Sequence, residues 1–345
     1  MIRLPRFEYH APRTVAHAAA LLAGAYGEAM LLAGGTDLVP NMKRRQQTPR
    51  ILVALSGIGE LRQHTNGNGH TLGAGLRLSE IVRDDGLHRE CTALWQAASQ
   101  VATPHLRAMG TLGGNLCLDT RCNYYDQSYE WRKAIDFCMK KDGTRCWVAT
   151  SSPTCLAVSS TDTAPALIAL GATASLVSAA GRRELPVADL YNNDGMYYLT
   201  RRSDEILTAV RVPDTTGWRS TYWKLRRRGS FDFPVLGVAA AVRLARDGTV
   251  EDARLVLGAV SSAPLVATRA ADALKGRPLT DEAIAEAADL AFTIAKPMDN
   301  TDFTLHWRKR VSRDFVGYAL RDLRGDDMRA VRARVVRHTL QGLYY

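Results

Sequence analysis
The sequence predicts an α+β fold in two parts: a larger N-terminal part in which strands and helices alternate, and a smaller C-terminal part in which strands precede helices. Three observations predict it. The hydrophobic period switches repeatedly along residues 7–212, the order after Gly217 is strands then helices, and two glycine-rich loops far apart in the chain interrupt the first part. With 345 residues, 46% hydrophobic and 23% charged, the chain can bury a large core and has an ordinary globular composition.

Phe7 to Tyr9 starts a strand, and Thr14 to Leu22 has the alanine and leucine spacing of a helix. Ala29 to Ala33 is an apolar run that stops at Gly34-Gly35-Thr36-Asp37. After the basic segment Asn41 to Gln47, Ile51 to Leu55 reads as the next strand. Asn66-Gly67-Asn68-Gly69 signals a hairpin, because these residues accept the positive φ of tight turns. Ser79 is placed to cap a helix running through Glu80, Ile81 and Val82. From Gly113 to Ala164 the chain turns rich in Cys, Tyr, Trp and charged residues. Pro165 to Leu170 returns to a buried pattern. Thr173 to Val177 and Glu205 to Val212 read as strands, the latter ending at Pro213.

A domain boundary near Gly217 gives 1–216, subdivided 1–57 and 58–216, and then 217–345. In the second part Tyr222 to Leu225, Val235 to Leu244 and Ala253 to Val260 are strand-like. Leu265 to Lys275, Asp281 to Ala295, Phe303 to Leu323 and Met328 to Leu340 are helical. That order predicts helices packed on an antiparallel sheet.

Met1 to Phe7 is basic but no apolar run follows, and no stretch is long enough to span a bilayer. The expectation is a cytoplasmic chain, or one attached to other soluble chains. Lys and Arg total 45 against 35 acidic residues, a formal charge of +10. This fits a solvated basic surface or one that meets an acidic partner such as another subunit or a ferredoxin. Nucleic acid is disfavoured, since no helix-turn-helix, zinc-finger or aromatic–basic motif occurs.

Leu31-Leu32-Ala33-Gly34-Gly35-Thr36-Asp37 sets two glycines and a hydroxyl directly after a buried strand, where backbone N–H groups can approach a phosphate. Alone, such a loop is more often a tight turn. Gly110-Thr111-Leu112-Gly113-Gly114-Asn115-Leu116 offers the same chemistry again, and two such loops can clamp both sides of a pyrophosphate. Neither matches the G-x-G-x-x-G or G-x-x-x-x-G-K-[ST] fingerprint, which disfavours a Rossmann site or an NTPase.

The pairing of Ala33-Gly34-Gly35-Thr36-Asp37 with Gly110-Thr111-Leu112-Gly113-Gly114-Asn115 resembles the FAD-binding subunits of the xanthine dehydrogenase family of molybdenum hydroxylases. Further matches follow in the family's order: Ser160-Thr161-Asp162 before Pro165-Ala166-Leu167, Asp204-Glu205-Ile206-Leu207 before Pro213, and Lys224 with Arg228 and Asp232. The resemblance spans nearly the whole chain. It implies a two-part FAD-binding domain of the vanillyl-alcohol-oxidase (PCMH) type, followed by an α+β domain of the carbon monoxide dehydrogenase flavoprotein type. It also implies that Leu31, Leu32, Ala33, Gly34, Gly35, Thr36, Asp37 and Leu38, with Thr111, Leu112, Gly113, Gly114 and Asn115, bind the FAD pyrophosphate. Asp162, Lys224 and Leu207 are implied near the flavin. Taken singly, Asp162 reads equally as a helix cap and Lys224 as a surface charge.

Six cysteines occur, and Cys122, Cys138, Cys146 and Cys155 fall in an apparent insertion at about 117–158. So polar a segment cannot bury a core of its own, and a metal held by four thiolates would fix it. Disulfides are disfavoured in a cytoplasmic chain. Zinc sites usually show close C-x₂₋₄-C knuckles, absent here, whereas iron–sulfur clusters tolerate varied spacing; spacing leaves both open. Cys91 and Cys117 stand outside the set and read as small hydrophobes. Tyr124, Tyr125, Trp131 and Trp147 would pack around the thiols or stack on flavin, with ordinary packing the simpler reading.

The insertion is similar to that of the β subunit in the 4-hydroxybenzoyl-CoA reductase branch of the family. This resemblance implies a 4Fe–4S cluster on Cys122, Cys138, Cys146 and Cys155. It further implies a heterotrimer, itself able to dimerise, with a large molybdenum-cofactor subunit and a small 2Fe–2S subunit. A reduced ferredoxin would be the electron donor, and reductive removal of a phenolic hydroxyl would occur on the large subunit. Arg226-Arg227-Arg228 and Arg121 would steer such a ferredoxin, or form an ordinary solvated charge run. Rival readings are a molybdenum hydroxylase acting on a purine, an aldehyde or another aromatic, a zinc-stapled binding protein, and a flavin oxidase acting alone.

Overall fold
The computed structural model describes residues 3–338 and arranges them in three sheets with helices between and around them. The first sheet is parallel, with β1 (Glu8–His10), β2 (Ala29–Leu32) and β3 (Ile51–Ala54) in the order β1-β3-β2. Parallel strands need a crossover. The helix Val15–Gly24 supplies it, with the Thr14 side chain accepting from the His17 N–H at 3.2 Å. Val15, Ala18, Ala19 and Leu22 fall on one helical face and pack against Val53 of β3.

The second sheet is antiparallel. It holds β4 (His64–Gly67), β5 (Gly69–Gly73), β6 (Thr173–Ser178), β7 (Gly181–Pro186) and β8 (Ile206–Val212) in the order β4-β5-β8-β6-β7. β4 and β5 form the predicted hairpin, Gly67 pairing with Gly69, whose φ is +90°. β7 escaped the sequence reading because it is an edge strand of exposed or half-exposed residues, Arg182, Arg183 and Glu184 among them, with no apolar alternation. Ser79 is not a cap. The helix starts two residues earlier than such a cap allows, at Leu78, and the Glu80 carboxylate accepts from the Arg77 N–H at 2.7 Å.

The third sheet is antiparallel in the order β12-β11-β10-β9, from β9 (Trp218–Leu225), β10 (Leu236–Leu244), β11 (Val250–Gly258) and β12 (Leu265–Val266). Leu265 and Val266, read from sequence as helical, are strand. They pair with Leu257 and Val256 on the open edge of β11, backbone partners that a helix would forgo, and the helix is confined to Thr268–Asp272. Helices Asp281–Ile294, Leu305–Arg324 and Arg329–His338 follow as expected. Residues 339–340 of the last predicted helix lie outside the described residues.

Alternate residues of β10 serve two cores. Val238, Ala240 and Val242 pack with Leu255, Ala287 and Phe315 under the C-terminal helices. Ala239 and Ala241 join Tyr222, Leu94 and Leu167 on the opposite side. Burial on both faces explains why β10 reads as a continuous apolar run. It also presses the third sheet onto helices Thr92–Ser99 and Thr163–Ala169, which brings Lys224 beneath Asp162. Among the described residues no helix is long and apolar enough to cross a membrane.

Candidate functional site
The two glycine loops, 76 positions apart from Gly34 to Gly110, meet in space. A Cβ on Gly34 would lie 2.1 Å from the Met109 carbonyl oxygen, so only glycine allows the approach. Gly35 sits at φ +70°, in the left-handed region that glycine favours. A Cβ on Gly114 would stand 3.7 Å from Ala33, a second point where the loops adjoin, and one on Gly113 would clash with Ala74 at 2.7 Å.

Together the loops wall a cavity of about 690 Å³, within the range that takes an organic cofactor. Leu31, Ala33, Gly34, Gly35, Thr36, Asp37 and Leu38 line it from the first loop, and Thr111, Gly113, Gly114 and Asn115 from the second. Asp162 and Leu207 border it as well. Three predicted residues stand behind the wall instead of in it. Leu32 packs near Gly35, Leu112 is buried in the core, and Lys224 lies under Asp162.

Polar contacts fix these parts. Thr111 Oγ1 accepts from the Gly114 N–H at 3.0 Å, closing the second loop. Asn115 Oδ1 accepts from Thr161 Oγ1, the Thr163 N–H and Thr163 Oγ1 at 2.9, 3.1 and 2.7 Å, tying that loop to the segment around Asp162. Asp162 accepts from Tyr222 Oη and Lys224 Nζ, each at 2.9 Å. Lys224 also donates to the Gln100 and Asp232 carbonyls at 3.0 and 2.9 Å. Lys224 is therefore no surface charge but a buried cross-link between the parts of the fold. Burial pushes the Asp162 carboxyl up and the Lys224 ammonium down, and their mutual attraction opposes both shifts.

The second site is the cysteine set. Cys122, Cys138, Cys146 and Cys155 are buried, form no disulfide, and ring one small pocket beside Tyr125, Trp147 and Lys140. Among the described residues no group of three or more His, Cys, Asp or Glu side chains is placed to hold a metal ion. Burial pushes the Cys122 thiol up to about 12 and the Cys155 thiol to about 11, and raises that of Cys138. The backbone into Cys138 is strained: Asp136 and Phe137 hold φ of 61° and 55°, and a Cβ on Gly143 would lie 2.9 Å from the Cys138 nitrogen. Cys91 is core, as expected. Cys117 packs against that core but also borders the cavity.

Between the two sites lies a buried polar knot. Lys140 donates to Asp119 Oδ1 at 2.8 Å, to Thr120 Oγ1 at 2.6 Å and to the Gly195 carbonyl at 2.6 Å. Asp119 borders the cavity, whereas Lys140 borders the thiol pocket. Gln46 Nε2 donates to the Tyr125 carbonyl at 2.6 Å, and Arg132 to the carbonyls of Arg44 and Arg45 at 3.1 and 3.2 Å. The insertion is thus knit to residues 44–46, just past the end of the helix Leu38–Lys43 that follows the first loop. Tyr124, Tyr125 and Trp147 pack around the thiols, Trp131 is partly exposed, and none of the four borders the cavity.

One sequence reading changes here. Arg121 is buried, 5% exposed, and cannot steer a docking protein from the surface. It lies in the cavity wall with its guanidinium carbon 4.5 Å from the Phe233 ring centre. Phe231, Phe233 and Met109, which also border the cavity, were missed because single exposed hydrophobes carry no periodic signal.

Residues 5–215 match the family model described as the FAD binding domain in molybdopterin dehydrogenase, and residues 220–323 that of the CO dehydrogenase flavoprotein C-terminal domain. The carbon monoxide dehydrogenase medium chain of Hydrogenophaga pseudoflava is 29% identical over 92% of this chain and 96% of its own length. The aldehyde oxidoreductase FAD-binding subunit of Escherichia coli K12 is 31% identical over 75% of this chain and 82% of its own. A solved carbon monoxide dehydrogenase chain from Hydrogenophaga pseudoflava superposes with a TM-score of 0.77 at 28% identity, covering 93% of this chain and 98% of that one.

Proposed function
Because the chain belongs to the family of FAD-binding subunits of molybdopterin dehydrogenases, we propose that it is the flavin- and iron–sulfur-bearing electron-transfer subunit of a molybdenum reductase acting on a 4-hydroxybenzoyl thioester. The observation that carries the reading is the ring of four buried cysteines next to a glycine-walled cavity.

The residues present fit FAD. A glycine at 34 lets the two loops close into one wall, and Leu31, Leu207 and Asp162 extend the cavity beyond it. The diphosphate is assigned to the loop residues Gly34 to Asp37 and Thr111 to Asn115, and the flavin to the Asp162 end. Leu32, Leu112 and Lys224 act from behind, Lys224 by fixing Asp162. Bound flavin supplies exchange of one or two electrons, while the protein supplies position, electrostatics and exclusion of water.

Cys122, Cys138, Cys146 and Cys155 are assigned as ligands of a four-iron, four-sulfur cluster, a one-electron carrier. In this reading large molybdenum and small 2Fe–2S subunits complete a heterotrimer that can dimerise, a reduced ferredoxin is the donor, and the phenolic hydroxyl is removed on the large subunit. The alternative partner is a molybdenum hydroxylase for an aldehyde, a purine or another aromatic, as the names of its relatives include aldehyde oxidoreductase, xanthine dehydrogenase and nicotinate dehydrogenase. A zinc-stapled, non-enzymatic protein and a flavin oxidase acting alone are both disfavoured by the family membership.

The test is co-expression with the large and small chains and assay of the purified complex with reduced viologen and 4-hydroxybenzoyl-CoA. Release of benzoyl-CoA supports the reading. Reduction of viologen by an aldehyde or purine, with no dehydroxylation, would replace it with the alternative.

A further inference from the structure
Arg121 directly precedes the first cysteine of the set, yet its side chain lies in the wall of the other site, the glycine-walled cavity. It is 7% exposed. Nη2 donates to the Asp37 carboxylate, and Nη1 stands 3.7 Å from Asp126 Oδ1, outside hydrogen-bond reach. Nε and Nη1 are buried with no hydrogen-bond partner among the described residues. Buried guanidinium donors left unsatisfied are costly, and in native proteins such groups point to a missing partner.

Of the other arginines bordering the cavity, Arg44 is bonded to Asn41 and Gln46, Arg62 is ion-paired to Glu80 and Arg228 to Asp232. Arg201 donates through Nη1 to the carbonyls of Arg202 and Glu205, while its Nε is also buried without a partner among the described residues. Asp37 closes the first glycine loop, so without Arg121 its carboxylate would set a negative charge against any anion held there.

We propose that Arg121 is a binding residue for the diphosphate of the dinucleotide, lent to the site by the cysteine-bearing insertion. It neutralises Asp37 and turns its unpartnered N–H groups to the phosphate oxygens, a planar donor set matched to such oxygens. The inference rests on the assignment of the diphosphate to the two loops. It makes the insertion part of the cofactor site, so retention of the dinucleotide depends on a segment otherwise devoted to the four thiols.

The experiment uses the full chain, freed of flavin and titrated with FAD and with ADP, which carries the diphosphate but no flavin. Arg121→Met is expected to weaken both ligands by about tenfold or more, the scale of lost charge-assisted hydrogen bonds. It should also flatten the salt dependence of binding, while Arg121→Lys stays within a few-fold of the parent. Unchanged FAD affinity in Arg121→Met overturns the proposal. So does weakened FAD with unchanged ADP, which would put the guanidinium on the flavin, and so does equal impairment of the Lys variant with a lowered melting temperature, which would make the role structural. Gly34→Ala is titrated in parallel. If it binds both ligands normally, the loop assignment itself fails; if it loses them while Arg121→Met does not, only the role of Arg121 fails.

Discussion
The α-carbon of Gly34 faces the carbonyl oxygen of Met109 so closely that a methyl group on it would lie 2.1 Å from that oxygen. This approach joins two segments that share no sequence continuity and makes one wall of the cavity from both. Gly34→Ala should push the loops apart and weaken FAD binding by about tenfold or more, the equivalent of an overpacking cost of one to three kcal/mol. Flavin absorbance of the purified variant checks this. Normal flavin content would undo the placement of the diphosphate.

Cys138 is held by a left-handed pair, Asp136 and Phe137, and borders the thiol pocket. Cys138→Ser should abolish bound iron while leaving a substantial part of the FAD, because the cavity draws none of its wall from Cys138. Iron and flavin analysis of one preparation reads both. Iron retained at the parental level would remove Cys138 from the ligand set.

Lys224 and Asp162 form a buried pair that ties the third sheet to the cavity. Lys224→Met leaves the carboxyl buried without its cation, at a cost of about 3–5 kcal/mol. Urea denaturation measures it, and a loss below about 1 kcal/mol would show that the pair does not link the two parts.

These features differ in how far the sequence discloses them. Gly34, Gly35, Gly113 and Gly114 were legible because paired glycines mark a left-handed φ, as at Gly35, or a close approach of another segment, as at Gly34 and Gly113. The four cysteines stood out by composition, and all four border one buried pocket. What the sequence hides is which side of a wall a residue takes. Arg121 read as a surface charge, as did Lys224 when taken without the family resemblance, because burial of a cation is decided by partners distant in the chain, Asp37 in one case and Asp162 in the other. Leu265 and Val266 read as helix, because the edge of β11 that recruits them is a tertiary feature. β7 carried no apolar alternation at all.

The Glu205 carboxylate is 2% exposed and accepts from Arg183 Nε and Nη2 at 2.6 and 2.9 Å and from the Arg202 N–H at 2.7 Å. The Arg183 hydrogen bonds hold its pKa below the ordinary 4.5. A carboxyl lowered in the folded state stabilises fully above the unfolded value, and that contribution fades as pH falls through the folded one. Thermal unfolding followed from roughly pH 5 to pH 3 should therefore fall less steeply for Glu205→Gln than for the parent. Parallel curves would mean the carboxylate keeps its ordinary affinity for protons.

The most direct test of the central claim is purification under anaerobic conditions, followed by flavin extraction, iron, sulfide and zinc analysis, and an EPR spectrum of the dithionite-reduced protein. The account predicts FAD together with about four iron and four sulfide per chain, and the signal of a reduced four-iron cluster. FAD with zinc, or with no metal, would contradict it, leaving a flavoprotein subunit of this family whose four cysteines serve another end.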